Sequence, residues 1–167
     1  MTQALPERLL EGEDPTTERP AEARQWVTIY AARIALHEER LKTAGGAQAS
    51  RLEAELDLLR RRHGFWLERY WSLSGLVIDK HRGLLQHRSA SVPLSEREAQ
   101  LLEFLSRRPD EAFRPRALVA RAWGDAALSD EQLRTYIVRL RQRLAAVKAP
   151  VTIESRRREG YRLITTR

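Results

Sequence analysis

The first half of the chain contains two stretches in which apolar residues recur every three or four positions. The apolar positions are Val27, Tyr30, Ile34, His37 and Leu41, then Leu52, Leu56, Leu59, His63, Trp66, Tyr70 and Leu73. Such steps are typical of helices, and their regular alternation in the second stretch is typical of a coiled-coil seam. Because Gly45 and Gly46 separate the stretches, the sequence predicts an antiparallel helical hairpin over residues 21–74.

The two predicted helices share one seam. We expect this hairpin interface to contain Trp26, Val27, Tyr30, Ile34, Leu41, Leu52, Leu56, Leu59 and Trp66. A turn near Gly46 pairs Tyr30 with His63 and Val27 with Trp66. A single seam leaves other apolar residues uncovered, among them Leu36 and Trp71. Three alternatives remain for what covers them: the C-terminal domain of the same chain, a second copy in a homodimer, or a partner protein.

Residues 1–20 combine prolines, acidic residues and threonines without apolar periodicity. A segment of that composition buries too little apolar surface to offset the entropy of ordering it. The sequence therefore predicts a disordered tail before the hairpin.

The second half of the chain alternates short extended segments with short helices. Segments 76–79, 83–86 and 91–94 predict a small antiparallel sheet. Ser95 with Glu98 has the pattern of a capping box that opens a helix, and Pro115 opens another. A third helix over 131–144 and a β-hairpin over 151–164 complete a winged helix-turn-helix domain, predicted for residues 75–167. The predicted fold class is thus mainly α with small antiparallel sheets (α+β).

The third of these helices has a polar face suited to a nucleic acid. Its apolar stripe consists of Leu133, Ile137, Leu140 and Leu144. The opposite face presents Glu131, Thr135, Val138, Arg139 and Gln142, flanked by Arg134 and Arg141. Hydrogen-bond donors mixed with small apolar groups can read base edges in the major groove. The alternative is an ordinary solvated face whose arginines only keep the helix in water.

Charge is distributed unevenly along the chain. Residues 80–167 contain 19 Lys and Arg against 10 Asp and Glu, whereas residues 1–79 contain 11 against 13. A basic C-terminal half attracts phosphate backbones or, as the weaker alternative, an anionic membrane, and such binding weakens steeply with salt because counterions are released. The arginines at 156, 157 and 158 concentrate this charge in the predicted hairpin. Double-stranded DNA is therefore the predicted partner.

Other chemistry finds little support in the residues. The chain has no cysteine, which fits a reducing compartment and excludes disulfides and thiolate metal sites. His37 and His63 lack neighbouring ligands, so we expect no metal and no cofactor. There is no phosphate-binding glycine loop and no catalytic set, and no apolar run is long enough to span a bilayer. We expect a cytoplasmic protein that is neither an enzyme nor a membrane protein.

Several linked segments resemble the OmpR/PhoB-type winged-helix effector domain of bacterial transcription factors. The segments are 92–102, with the sequence VPLSEREAQLL, 117–124, with ALVARAWG, Arg139-Leu140-Arg141, and 160–163, with GYRL. They stand in the family's order and spacing over about residues 75–164. The resemblance implies a sequence-specific DNA-binding transcriptional regulator.

The resemblance also implies roles for individual residues. Helix 131–144 would be the recognition helix in the major groove, and the wing over 154–162 would enter the minor groove. The predicted base contacts are Arg134, Thr135, Val138 and Arg139, the backbone contacts Gln132, Tyr136, Arg141 and Gln142, and the minor-groove contacts Arg156, Arg157 and Arg158. The loop 124–129 corresponds to the segment through which family activators touch RNA polymerase.

Some positions depart from the family pattern. Glu131 and Val138 replace arginines, and Arg158 replaces the usual glycine of the wing. A hairpin over 21–74 is too short for a receiver domain, so we expect no control by receiver phosphorylation. The alternative function is a protein-interaction module that no longer reads DNA. Arg60-Arg61-Arg62 is interpreted as the solvated side of the second helix, with a second DNA contact as the less favoured alternative.

Overall fold

The computed structural model describes residues 9–124 and 127–166. The chain divides between Ser74 and Gly75 into two compact units. The N-terminal unit is helical, and the C-terminal unit combines helices with two small antiparallel sheets. The predicted fold class, mainly α with small antiparallel sheets, is confirmed.

The N-terminal unit is built on the predicted helical hairpin. Helix α1 spans Pro20–Leu41 and helix α2 spans Gly46–Ser74. Gly46 has a φ of +53°, a left-handed conformation that glycine adopts without steric penalty at a helix junction. Trp26 stacks on Trp66 with ring centroids 6.0 Å apart, one residue from the predicted pairing of Val27 with Trp66.

Most of the predicted hairpin interface is buried within the unit. Val27, Tyr30, Leu52, Leu56 and Trp66 are buried, whereas Trp26, Ile34, Leu41 and Leu59 are half-buried. Ala23 and Tyr70 join the core at the end of the hairpin that is distant from the turn. The seam therefore serves contact between α1 and α2.

A short segment before α1 packs on the hairpin. In this strap, residues 9–19, the Glu13 carboxylate accepts a hydrogen bond from Trp66 Nε1 at 2.7 Å and one from Tyr30 Oη at 2.8 Å. The guanidinium of Arg62, itself buried, lies 3.5 Å from Glu13 Oε2 and donates to Tyr30 Oη at 2.9 Å. Burial, followed by the hydrogen bond to Glu13, raises the pKa of Tyr30 to about 12. The carboxylate is thus compensated by donors from both helices.

Two expectations are corrected by the strap. The predicted disordered tail is wrong for residues 9–19, where Arg69 also holds the strap by donating to the carbonyl of Thr17 at 2.8 Å; residues 1–8 lie outside the described residues. The interpretation of Arg60–Arg62 as a solvated face is wrong for Arg62, because Glu13 provides a buried partner that helical periodicity does not show.

The C-terminal unit begins with a three-stranded antiparallel sheet. Strands β1 (Leu76–Asp79), β2 (Leu84–His87) and β3 (Ala90–Pro93) pair in chain order. Helices α3 (Glu96–Ser106), α4 (Pro115–Trp123) and α5 (Asp130–Ala146) follow, and strands β4 (Val151–Arg156) and β5 (Gly160–Thr165) form the terminal hairpin. The predicted elements are all present, with bounds shifted by one or two residues.

The helices of the C-terminal unit share one core. Ser95 caps α3 in the predicted capping box with Glu98. The completely buried side chains include Leu101, Leu102, Leu105, Leu118, Leu133, Ile137 and Leu140, with Leu144, Ile153 and Leu163 nearly so. The apolar stripe predicted for the third helix is therefore core, and it fixes which face α5 turns to solvent.

Candidate nucleic-acid interface

The solvent face of α5 presents the residues predicted to read bases. Arg134, Thr135, Val138 and Arg139 are all exposed, as is Gln142. Val138 is 43% exposed, so an aliphatic side chain lies among the polar groups of this face. The Thr135 hydroxyl donates to the Glu131 carbonyl at 3.2 Å. The predicted base contacts thus share one accessible helix face.

The N-terminus of α5 is capped by its own side chains. Ser129 Oγ accepts from the backbone N–H of Gln132 at 3.2 Å, and Gln132 Oε1 accepts from the backbone N–H of Ser129 at 2.9 Å. Asp130 and Glu131 lie in the first turn, where the helix dipole favours negative charge. Because Oε1 of Gln132 is engaged in the cap, a phosphate contact by this residue would use Nε2.

Arg141 connects α5 to the wing. Its Nε donates to the Ile153 carbonyl at 2.7 Å, and its Nη2 donates to Ser155 Oγ at 2.7 Å. Both acceptors lie on β4. Its contact with the DNA backbone stays a prediction, and the structure shows that it braces α5 against the wing.

Tyr136, another predicted backbone contact, packs between two neighbours. Its ring lies 5.3 Å from the ring of Trp123, and the Arg139 guanidinium lies 6.0 Å from its centroid. Trp123 Nε1 in turn donates to the Arg97 carbonyl at 3.0 Å. The aromatic pair holds α4 against α5, and the Tyr136 ring gives the Arg139 guanidinium a cation–π contact.

The wing places its arginines around the turn between β4 and β5. All three arginines at 156–158 are exposed, and Arg156 also pairs with Glu154 at 3.1 Å and with Glu159 at 3.7 Å. Hydrogen bonding from Arg162, at 2.6 Å, is the main reason that the pKa of Glu154 lies below its ordinary value. The acid therefore stays ionised and offsets part of the charge of Arg156 and Arg162.

A groove runs between the wing and the start of α4. It measures about 620 Å³ and is lined by Arg114, Pro115, Ser155, Arg156, Arg157, Arg158, Gly160 and Tyr161. Tyr161 forms a β-bridge with Phe113, in which both N···O distances are 2.9 Å. The sequence pattern did not indicate Arg114 or the Phe113 bridge, because a single bridging residue produces no alternation.

The remaining predicted regions are described only in part. Within the loop 124–129, Asp125 and Ala126 lie outside the described residues. In the described part of the chain, no three His, Asp or Glu side chains are grouped so as to hold a metal ion. None of the described helices is both long and apolar enough to cross a membrane.

Comparisons with known proteins agree with this geometry. Residues 89–163 match the family described as transcriptional regulatory protein, C terminal. The C-terminal unit is an OmpR/PhoB-type winged-helix DNA-binding domain. The family and the fold are those of DNA-binding transcription regulators and not of enzymes. The family predicted from the linked motifs is confirmed.

The match to each of two curated relatives covers less than half of that relative's length. Transcriptional regulatory protein YxdJ of Bacillus subtilis is 33% identical over 110 residues, which are 63% of this chain and 48% of the relative. Heme response regulator HssR of Staphylococcus aureus is 32% identical over 93 residues, 55% of this chain and 42% of the relative. The chain therefore spans about half the length of these curated relatives.

A solved structure shows the same fold. The DNA-binding domain of CadC from Escherichia coli is 19% identical, covers 56% of this chain and 89% of its own, and superposes with a TM-score of 0.50. The C-terminal unit thus has the same winged-helix fold as this domain, although their sequences are only 19% identical.

Proposed function

We propose that this chain is a sequence-specific transcriptional regulator that inserts α5 into the major groove of double-stranded DNA and its wing into the adjacent minor groove. The carrying observation is that α5 presents an exposed face of arginines and small side chains, and Arg141 joins that helix to the arginine-bearing wing. One rigid surface of this kind spans a groove and its neighbouring backbone.

The residues divide by the chemistry they offer. The guanidinium groups of Arg134 and Arg139 suit the N7 and O6 acceptors of guanine, and Thr135 with Val138 offers smaller contacts to base edges. The groups assigned to phosphates are the side chains of Gln132, Tyr136, Arg141 and Gln142. Arg156, Arg157 and Arg158 supply charge for the minor groove, where the negative potential of DNA is concentrated.

We infer that the N-terminal unit mediates association with another protein chain and does not control the DNA-binding unit through phosphorylation. Its described residues form a strap and two helices, in contrast to the alternating strands and helices of a receiver. We propose that the hairpin mediates a homodimer or binds a partner protein. The loop 124–129 is proposed to contact RNA polymerase.

The experiment that tests this function is fluorescence anisotropy of the full chain on random and genomic duplexes over a salt series, with the bound fragments sequenced. Selective binding that weakens with salt and enriches one motif supports a sequence-specific reader. Equal binding to all duplexes would contradict sequence-specific reading. Absence of binding would favour the interaction module, and the partner of the hairpin would then be sought.

A further inference from the structure

The recognition helix exposes an apolar side chain at the centre of its reading face. Val138 is 43% exposed, whereas the other large aliphatic residues of α5, Leu133, Ile137, Leu140 and Leu144, are at most 1% exposed. Arg134 precedes it and Arg139 follows it on the same solvent side. Val138 therefore adds little to the core of the domain, and it lies where a ligand bound to this helix face would contact it.

Thr135 extends the same apolar strip. It lies three residues before Val138, and residues at that spacing are neighbours on a helix surface. Its hydroxyl proton is engaged with the Glu131 carbonyl at 3.2 Å. Toward a base, Thr135 can therefore offer a methyl group and an acceptor, but no donor unless that bond breaks.

The base edges of the major groove contain one apolar group, the C5-methyl of thymine. A valine facing guanine, cytosine or adenine edges would cover polar atoms without replacing their hydrogen bonds to water, which is unfavourable. A valine facing thymine buries two apolar surfaces against each other. We propose that Val138 is a specificity-determining residue that reads a thymine methyl, next to base pairs read by Arg134 and Arg139.

This inference rests on the proposed function and narrows the ligand to a site with an A·T pair beneath Val138. Its test uses the full chain and the duplex selected by the binding experiment. Each thymine of the selected half-site is replaced in turn by deoxyuridine, which removes the methyl and keeps the base pair. Burial of one methyl group corresponds to about a fourfold change in affinity.

We expect the loss of affinity on removal of one thymine methyl to depend on the Val138 side chain. Wild-type protein should lose about fourfold in affinity at one thymine position when that methyl is removed. Val138→Ala should lose a similar factor on the thymine duplex and then be indifferent to deoxyuridine at that position. Val77→Ala, the same change at a valine 51% exposed on β1, should bind both duplexes as wild type does.

Each of the other possible results contradicts a specific part of the proposal. If wild-type binding is unchanged by deoxyuridine at every thymine, or if Val138→Ala remains as sensitive as wild type, Val138 does not read a methyl while the proposed function stands. If wild-type protein selects no duplex, the proposed function and this inference fail together. Circular dichroism of the variants confirms that the exposed substitutions leave the fold intact.

Discussion

At the scale of single residues, the arginines on the proposed DNA surface fall into two classes. Arg139 is exposed on α5 beside the Tyr136 ring, whereas Arg157 is exposed at the tip of the wing. A guanidinium in the major groove meets base-specific acceptors, whereas one in the minor groove meets a degenerate pattern and the phosphate potential. The two residues should therefore contribute differently to specificity.

Alanine substitution separates the two classes. Arg139→Ala should weaken binding to the selected site by about 1–3 kcal/mol and bind random duplexes almost as wild type does. Arg157→Ala should weaken all duplexes alike and lower the slope of binding against salt by about 1. Arg51→Ala on α2 removes the same charge from the N-terminal unit and serves as the control. Equal losses on selected and random DNA for Arg139→Ala would disprove base reading by this residue.

Arg158 and Gly160 lie close together in the wing but differ in whether the backbone position has room for a side chain. Arg158 has a φ of +70° at the position where the family usually has glycine, so the left-handed backbone is kept although the residue has changed. A non-glycine residue there costs about 1–2 kcal/mol. Gly160 has a φ of +102°, and a Cβ added to it would lie 1.9 Å from the Phe113 carbonyl oxygen. The first position has open space for a side chain and the second does not.

Gly160→Ala should therefore lower the free energy of unfolding of the C-terminal unit by about 1–3 kcal/mol. The added Cβ strains the backbone at this positive φ, and it forces the Phe113–Tyr161 bridge to open. Urea unfolding followed by circular dichroism measures the change. Gly124→Ala is the matched control, since Gly124 also has a positive φ, +65°, but nothing lies within 4 Å of its added Cβ. A midpoint for Gly160→Ala as high as that of the control would show that the bridge contributes nothing.

At the scale of elements, periodicity predicted the helices and the hairpin but not the strap. The stripe of Leu133, Ile137 and Leu140 follows from spacing alone, because a helix repeats its faces every 3.6 residues. Glu13 belongs to no periodic pattern, and its side-chain partners Tyr30 and Trp66 lie 17 and 53 residues away. Contacts of that separation depend on how the hairpin closes, which a local pattern does not encode.

The strap depends on the two side-chain oxygens of Glu13, which both act as hydrogen-bond acceptors. Oε1 accepts from Trp66, and Oε2 accepts from Tyr30 and from the backbone N–H of Leu10 at 2.7 Å. An amide in either orientation would place its NH₂ group against one of these donors. Glu13→Gln should therefore lower the free energy of unfolding of the N-terminal unit by about 1.5–3 kcal/mol.

Urea unfolding followed by tryptophan fluorescence checks this change, together with limited proteolysis within the strap. Glu11→Gln is the matched control, because it alters the same kind of residue at an exposed position of the same segment. The proteolysis rate should rise for Glu13→Gln alone. Equal behaviour of the two variants would mean that the buried carboxylate does not hold the strap.

At the scale of the whole molecule, positive charge is concentrated in one of the two units. The C-terminal unit, residues 75–167, contains 19 Lys and Arg against 11 Asp and Glu, and the N-terminal unit, residues 1–74, contains 11 against 12. The charge balance therefore indicates the C-terminal unit as the one that is proposed to bind DNA. Which surface the N-terminal unit offers to a partner depends on what remains exposed after the hairpin and strap have packed, and this follows from the structure.

The proposed homodimer has one exposed anchor on the hairpin. Leu36 is 52% exposed on α1, and Ile29, half-buried, lies seven residues before it and hence on the same helix face. Two copies that cover this face would bury apolar surface that the monomer leaves in water.

Sedimentation equilibrium of the full chain at tens of micromolar should then show a dimer. Leu36→Glu should convert the dimer to a monomer, because each copy would bury an unpaired charge. Val77→Glu, at a comparably exposed position of the C-terminal unit, should leave the dimer intact. A monomeric wild type would remove the dimer and leave α1 as a surface for a different protein.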